Sequence, residues 1–298
     1  MKVIKTFAII LVSLLLIGII ILFEVKNWPV GSSLAGVFLG LSLPKLLQLF
    51  QDLSDTATWK ASQRKLKREG TITDDTLVRI SFAYLYRIKL GNQYFLVKNA
   101  RGTEKYQPVG GVYKLKKSEK LELKKRFHVV DDDKIAIDES SRDDYRLQLK
   151  NRYLRKFVRR FNRGADRERI DNLSREFREE LIDSGILDWK QITYRFCGRH
   201  MTELHYSEHF QIYEILLADI VELIPTVDQE EDLRKLAEVP SPLYRFATAK
   251  EIKSLGVNTS KGFLLENISD HTSKILQENE SNLNSVSICN RTYTVDLV

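Results

Sequence analysis

The chain has few cysteines and lacks the short motifs of several large enzyme classes. Its 298 residues include two cysteines, Cys197 and Cys289, and their wide separation fits neither a disulfide framework nor a zinc site. The sequence contains no Gly-x-Ser-x-Gly motif, no Ser-His-Asp spacing and no phosphate-cradling Gly-Lys-Thr loop. Hydrolases of those types and P-loop NTPases are therefore not supported.

Charge is also missing from two apolar runs near the N-terminus. Residues 7–23 carry no charge, and at 1.5 Å per residue such a helix approaches the roughly 30 Å of a hydrocarbon core. The second run, about residues 29–50, contains Lys45, whose long stem lets its charge reach the membrane surface. The sequence predicts a two-helix transmembrane hairpin over residues 1–50. A cleaved signal peptide is the alternative, but no small-x-small cleavage site follows the first run.

The hairpin prediction carries further expectations. Basic residues precede the first run and follow the second, which places both termini in the cytoplasm by the positive-inside rule. Ser32, Gly36 and Gly40 recur every four residues, so they share one helix face and predict a seam for a homo-oligomer. The alternative is that this face packs within a single hairpin. The uncharged stretches 7–23 and 30–43 have no internal ionisable residue of the kind that marks a transport pathway, which argues against a transporter.

The net charge of +7 is concentrated in two segments. Residues 51–70 form a basic linker that we expect to lie against anionic lipid. Residues 145–163 have a helical apolar pattern surrounded by basic side chains, among them Arg155 and Arg159. That helix is a candidate for contacts with phosphate or membrane, and a solvated basic helix is the alternative.

The remainder of the chain alternates strand and helix patterns within one domain's length. It predicts one α+β domain over residues 71–278, a mixed sheet flanked by helices with a long insertion at about 117–170. The strongly charged part of the insertion, residues 117–141, is expected at the surface. A turn at residues 90–93 between two β-rich runs predicts a hairpin. Residues 279–298 are expected to form a polar C-terminal tail.

One helical pattern concentrates carboxylates. Glu176, Glu179 and Glu180 stand at i, i+3 and i+4 on one face, where they repel one another unless a cation lies among them. A hard divalent ion such as Mg²⁺, bridging to phosphate oxygens, satisfies that need. Neutralisation by Arg175 and Arg178, with no ligand, explains the same pattern.

Two glycines upstream complete a recognisable motif. Gly110 and Gly111 follow Pro108 at a strand end, where a backbone without a Cβ lets a ligand approach closely. With the Arg-Glu-x-x-Glu-Glu pattern at 175–180, they resemble the split halves of a Nudix box. In that family the glycines end a strand, and the glutamates of the following helix hold the metal that assists cleavage of a nucleoside diphosphate linkage. Residues 244–252 are similar to the closing strand and helix of many Nudix domains, so the α+β domain of residues 71–278 is expected to be Nudix-like.

This motif departs from an ordinary Nudix box. Gly111 and Arg175 are 64 residues apart, Lys117 stands where the box has its first glutamate, and Ile182 stands where it has a later glycine. The resemblance therefore leaves two functions open. One is a catalytic metal site, and the other is a helix that cradles a ligand without metal.

A transmembrane hairpin followed by a diverged Nudix domain resembles the membrane effectors of bacterial cyclic-oligonucleotide antiphage defence (CBASS), whose soluble part is called a SMODS-associated Nudix domain. The resemblance implies a domain that senses a cyclic oligonucleotide, helices that disrupt the inner membrane, and abortive infection. Expected partners are the cyclic oligonucleotide, inner-membrane lipids and further copies of the chain, with no direct DNA binding. The predicted ligand contacts are Gly110, Gly111, Arg155, Arg159, Arg175 and Arg178. No catalytic residue is expected, and Glu176, Glu179 and Glu180 are the predicted Mg²⁺ ligands.

Two other functions stay open. The first is a membrane-anchored, Mg²⁺-dependent Nudix pyrophosphohydrolase acting on a nucleotide diphosphate compound, with the three glutamates as its catalytic residues. The second is a lipid-surface scaffold that uses only its basic segments. Separately, His200, His205 and His209 lie between two predicted strands, where a metal or acid–base role competes with the simpler interpretation of a polar loop rim.

Overall fold

A computed structural model of the chain divides into two compact units, Met1–Ala61 and Ser62–Val298. Every described strand belongs to the second unit. The structure describes residues 15–26, 28, 30–31, 33, 36–38, 40, 44, 58–99, 104–135, 141–164, 166–257, 267–284 and 289–297.

The structure of the first unit contradicts the predicted transmembrane hairpin. Its longest continuous described helical stretch covers residues 15–25. Among the described residues, none of the helices is both long and apolar enough to cross a membrane. Much of the predicted spans at 7–23 and 29–50 lies outside the described residues. The multi-pass inner-membrane location rested on this hairpin and is corrected with it.

The small-residue face of the second apolar run is described only in part. Ser32 lies outside the described residues, whereas Gly36 and Gly40 are helical. A Cβ added at either glycine would meet nothing within 4 Å. Their role in an oligomer seam therefore stays a prediction.

Two sheets form the second unit. The larger is mixed, with β12, β8, β10, β1, β7 and β6 side by side, β5 paired to β1 and β9 paired to β10. In the smaller, β11, β3 and β2 lie in that order and β4 pairs with β3. The strands are β1 (Leu77–Arg87), β2 (Lys89–Leu90), β3 (Gln93–Lys98), β4 (Tyr106–Gln107), β5 (Gly110–Val112), β6 (Val130–Asp131), β7 (Arg146–Lys150), β8 (Gln191–Met201), β9 (His205–Ser207), β10 (Ile212–Leu223), β11 (Tyr244–Thr248) and β12 (Thr292–Asp296).

Helices flank these sheets, so the second unit agrees with the expected Nudix-like mixture of sheet and helix. A π-helix (Arg178–Ile182) follows α4 directly, and two 3₁₀ helices (Asp270–Ile275 and Gln277–Asn282) precede β12. The α-helices are α1 (Thr58–Arg68), α2 (Lys117–Phe127), α3 (Asn151–Arg163), α4 (Ser174–Phe177), α5 (Val227–Glu238) and α6 (Ala249–Lys253).

Strand β1 separates two different environments, because successive side chains of a strand point to opposite faces. Its even-numbered residues from Val78 to Tyr86 are fully buried. On that face Phe82 contacts the rings of Phe157 and Phe161 from α3, with centroids 5.9 and 4.6 Å away. The even-numbered face is thus an aromatic core, and the odd-numbered face is left for other contacts.

The insertion predicted at about 117–170 supplies part of this core. Strand β7 pairs with β1, and Leu147, Leu149 and Leu154 are fully buried. The many charged residues of this segment suggested exposure to solvent, but several of them pair with one another in the structure. Arg160, for example, binds the buried carboxylate of Glu119 at 2.5 Å.

The region around residues 90–93 and the C-terminal segment also differ from expectation. A turn joins β2 to β3 as predicted, but β1 leaves this hairpin and pairs in parallel with β10 along its length. The segment predicted as a tail supplies β12, which pairs with β8 at the edge of the larger sheet. Strands β1 and β12 therefore both pair with strands that are distant in sequence.

Candidate functional site

The odd-numbered face of β1 lines a cleft of about 1060 Å³. Ser81 and Ala83 are small and leave space above the sheet, while β5 and β10 supply the adjacent walls. Charges of both signs surround this space. The lining cations are Arg79, Lys98, Lys114, Arg146, Arg175 and Lys274, and the lining carboxylates are Asp144, Glu176, Glu179, Glu180, Glu214 and Asp270.

Gly110 lets β5 lie directly against β1. Its φ is +148°, and a Cβ there would lie 2.3 Å from the carbonyl oxygen of Tyr84. L-residues rarely adopt this conformation, so position 110 requires glycine for both reasons. The Gly110 N–H donates to Glu180 Oε2 at 3.0 Å.

Gly111, the next residue of β5, lies against the side chain of Glu176. A Cβ at Gly111 would lie 1.8 Å from Glu176 Oε1, so the glycine makes room for that side chain. The glycines and the glutamate helix, 64 residues apart in sequence, therefore meet as the motif predicted. The helix changes from α to π geometry across this contact, a local distortion that is frequent at functional sites.

Arg175 offsets part of the negative charge at this end of the cleft. Its Nη1 donates to Glu176 Oε1 at 2.6 Å and lies 3.5 Å from Glu179. Its Nη2 donates to the carbonyl oxygen of Val112 at 3.0 Å and to Glu168 at 3.2 Å. The guanidinium thus occupies the position among the carboxylates that a cation was expected to fill.

Glu168 was not found from the sequence, although it organises this cluster. It accepts hydrogen bonds from the Tyr84 hydroxyl at 3.0 Å and the Lys114 N–H at 3.1 Å, as well as from Arg175. Burial raises its pKa, and these donors oppose that effect. No sequence signal identified Glu168, because it lies outside the motif and its partners come from separate segments.

Glu180 has a strongly raised pKa. Burial raises its pKa to about 8, and the charge of Glu176 acts in the same direction, while the Gly110 N–H lowers it. A carboxyl group of this kind holds its proton at neutral pH, so it contributes little negative charge to the cleft.

The glutamates do not fit a divalent ion in this arrangement. Arg175 lies among them, in contact with Glu176 and Glu179. Among the described residues, no group of three or more His, Cys, Asp or Glu side chains is placed to hold a metal ion.

The other predicted ligand contacts lie apart from this cluster. Arg178 is exposed and lies 3.7 Å from Asp183. Arg155 donates to Gln63 Oε1 at 2.7 Å, and Arg159 is exposed. Helix α3, which carries Arg155 and Arg159, packs on the even-numbered face of β1, opposite the cleft. Their part in ligand binding stays a prediction.

The three histidines have separate roles. His205 lines the cleft, with Nε2 3.4 Å from Glu214 Oε1. His200 Nε2 lies 3.1 Å from the carbonyl oxygen of Lys274. The His209 ring contacts Phe210 edge-on, with centroids 4.5 Å apart. They do not converge on one point, which favours the simpler interpretation of this polar run.

Comparison with known proteins identifies the fold family. The family model of the SMODS-associated NUDIX domain matches residues 77–276, two thirds of the chain. The matched region includes β1, both glycines, the glutamate helix and Lys274. Neither the curated proteins nor the solved structures gave a match. The chain belongs to the SMODS-associated Nudix domain family.

Proposed function

We propose that this SMODS-associated Nudix domain protein binds a cyclic oligonucleotide in the cleft and acts as the sensor of a CBASS antiphage system. The family assignment supports a link to cyclic-nucleotide signalling. The expected membrane-disruption step rested on the transmembrane hairpin, and with that hairpin corrected it is not part of the proposal.

The observation that carries the proposal is the cleft itself. Its volume of about 1060 Å³ is at the upper end of the roughly 300–1,000 Å³ of small-molecule sites, which suits a ligand larger than a mononucleotide. Its lining combines apolar residues with charges of both signs, which suits a ligand that has both bases and phosphates. Arg175 offsets part of the negative charge of the glutamates, which lessens their repulsion of an anionic ligand.

The second candidate is a Mg²⁺-dependent pyrophosphohydrolase, since Nudix domains generally use Mg²⁺ or a similar ion. The bond from Gly110 to Glu180 preserves the contact between glycine and helix of a Nudix box and favours this function. Two residues argue against it. Arg175 lies among the carboxylates, and Lys117 begins α2 where the box has a glutamate.

A sensor must also transmit its signal. We propose that nucleotide binding changes how copies of the chain associate. The ligand must bind one assembly more tightly than the other, because equal affinity for both shifts no population. Size-exclusion chromatography coupled to light scattering, with and without nucleotide, measures this change.

Calorimetric titration of the full chain with cyclic di- and trinucleotides, in Mg²⁺ and in EDTA, tests the proposal. The nucleotide is then recovered and analysed by chromatography. Saturable binding in both buffers with intact nucleotide supports the sensor. Cleavage that requires Mg²⁺ and is lost in Glu179→Gln establishes the hydrolase instead, and no binding to any of these nucleotides overturns the sensor.

A matched pair of variants locates the binding site. Ala83→Phe fills the cleft from β1, and we expect it to abolish binding. Ala237→Phe places the same ring on exposed residue 237 of α5, outside the cleft, and we expect unchanged affinity. Equal affinity in both variants would place the ligand elsewhere.

A further inference from the structure

Lys274 differs from the other cations of the cleft. Five of the six lining Lys and Arg residues have a carboxylate oxygen within 4.0 Å. Lys98 with Glu104 and Lys114 with Asp144, both at 2.5 Å, are examples. Within the described part of the chain, no carboxylate lies within that distance of Lys274.

The surroundings of Lys274 make an unpaired ammonium group costly. It is half-buried on the first 3₁₀ helix, and its side chain faces the cleft. Burial lowers its pKa, and the charges of Asp270 and Glu214 offset only part of that effect. A cation removed from water without a partner is destabilising, so a bound anion would be favourable here.

The backbone under Lys274 is held in place by side chains from the sheet. Arg87, fully buried at the end of β1, donates through Nε to the Ile275 carbonyl at 2.6 Å and through Nη2 to the Leu276 carbonyl at 3.4 Å. The carbonyl of Lys274 lies 3.1 Å from His200 Nε2. Three consecutive carbonyls are therefore fixed, and the ammonium group is presented from a rigid segment.

We infer that Lys274 binds a phosphate group of the nucleotide in the cleft. This inference rests on the proposed function and names the residue that contacts the ligand's charge. It places the phosphate at the 3₁₀ helix, where a cation lacks a partner, rather than at the glutamate helix. Arg175 is less suited to that role because its guanidinium already contacts Glu168, Glu176 and Glu179.

Acylation of lysines in the full chain, followed by mass spectrometry, tests the anion site without any nucleotide. Inorganic pyrophosphate is the probe, and we expect it to slow acylation of Lys274 several-fold. Exposed Lys250, on α6 and outside the cleft, is the internal control and should react equally with and without the probe. Unchanged acylation of Lys274 would overturn the inference.

Calorimetry with the cyclic dinucleotides cyclic di-AMP and cyclic GMP-AMP tests the contact itself. For a dinucleotide that binds the wild-type chain, we expect Lys274→Gln to weaken binding about tenfold or more, because a charged hydrogen bond is lost. Lys274→Arg should retain most of the affinity, and Lys250→Gln should retain all of it. Thermal melts of each variant check that the fold is intact.

The two proposals fail differently. If a dinucleotide binds but Lys274→Gln binds it equally well, the sensor stands and the inference is overturned. If no cyclic nucleotide binds but pyrophosphate protects Lys274, the sensor is overturned and the anion site at Lys274 stands.

Discussion

The cleft has two ends, one at the helix that carries Glu176, Glu179 and Glu180 and one at the 3₁₀ helix that carries Lys274. The charged groups at these two ends are paired differently. At the glutamate end, Arg175 is shared among Glu168, Glu176 and Glu179, so the carboxylates outnumber the one cation that contacts them. At the 3₁₀ end, the buried Arg87 pairs with Glu280 and donates to backbone carbonyls, and Lys274 has no carboxylate partner among the described residues. The end with the Nudix motif is therefore the less available one for an anion, and an unpartnered charge indicates a binding site better than the density of charge does.

The largest expected effect is at Arg87, on which the 3₁₀ end depends. Arg87→Met removes the donors to the Ile275 and Leu276 carbonyls and to Glu280, leaving buried acceptors unpaired. We expect a loss of about 3–5 kcal/mol in the free energy of unfolding, measured by urea denaturation. Amides of residues 270–284 should exchange hydrogen faster, while those of 174–182 change less.

Arg195→Ala is the control for this prediction. Arg195 also pairs with Glu222, but it is more exposed. We expect a cost of about 1 kcal/mol or less. Equal destabilisation by the two variants, or equally faster exchange at both ends of the cleft, would show that the ends are not separately stabilised.

The next effect concerns the glutamate end. Gly110→Ala strains the backbone at φ +148° and directs a methyl group into the Tyr84 carbonyl, which cannot move away easily. We expect a loss of about 3 kcal/mol in the free energy of unfolding. Gly111→Ala clashes with the flexible end of Glu176 and should cost less, because that side chain can rotate.

A third alanine substitution separates backbone strain from the steric clash. Gly91 also has a positive φ, +56°, but its Cβ would meet nothing within 4 Å. Gly91→Ala should cost about 1 kcal/mol. If Gly110→Ala costs no more than Gly91→Ala, the close contact between β5 and β1 does not contribute to stability.

The sequence indicated the residues that meet at one end of the cleft but not those at the other. Residue type and spacing placed Gly110, Gly111 and Glu180 in one motif, although Gly111 and Arg175 are 64 residues apart, and their part in ligand or metal binding stays a prediction. Lys274 and Arg87 carry no such signal. Their importance comes from tertiary contacts, such as the bond from Arg87 to the Ile275 carbonyl 188 residues away.

The secondary structure was likewise predicted only in part. A helix was expected over residues 145–163, but residues 146–150 form strand β7 and only the remainder is helical. Leu147 and Leu149 alternate as a strand requires, but this pattern is short and is flanked by the basic residues Arg146 and Lys150. The partner of β7 is β1, about 70 residues earlier, which no local pattern indicates.

A smaller effect should appear in the pH dependence of stability. The pKa of Glu180 is raised from an ordinary 4.5 to about 8 in the folded chain. Its protonated form therefore stabilises the fold fully below pH 4.5, and this contribution is lost as pH rises through about 8. Glu180→Gln keeps an acceptor for the Gly110 N–H but cannot ionise, so its stability should fall less over that range.

Urea denaturation at several pH values measures this effect. Glu238→Gln, at an exposed position on α5, is the control and should follow the wild-type profile. A Glu180→Gln profile parallel to that of the wild type would mean that Glu180 is ionised in the folded state at neutral pH. The glutamate end of the cleft would then carry more negative charge than it does with Glu180 protonated.

The smallest expected effect is at Arg159, which the sequence proposed as a ligand contact. It is exposed on α3, and α3 packs on the face of β1 opposite the cleft. Exposed charges separated by more than roughly 8 Å are largely screened at physiological salt. Arg159→Gln should therefore leave cyclic-dinucleotide affinity unchanged in the calorimetric assay. A loss comparable to that of Lys274→Gln would place the phosphate on the basic helix, and the unpartnered cation of the cleft would then not mark the binding site.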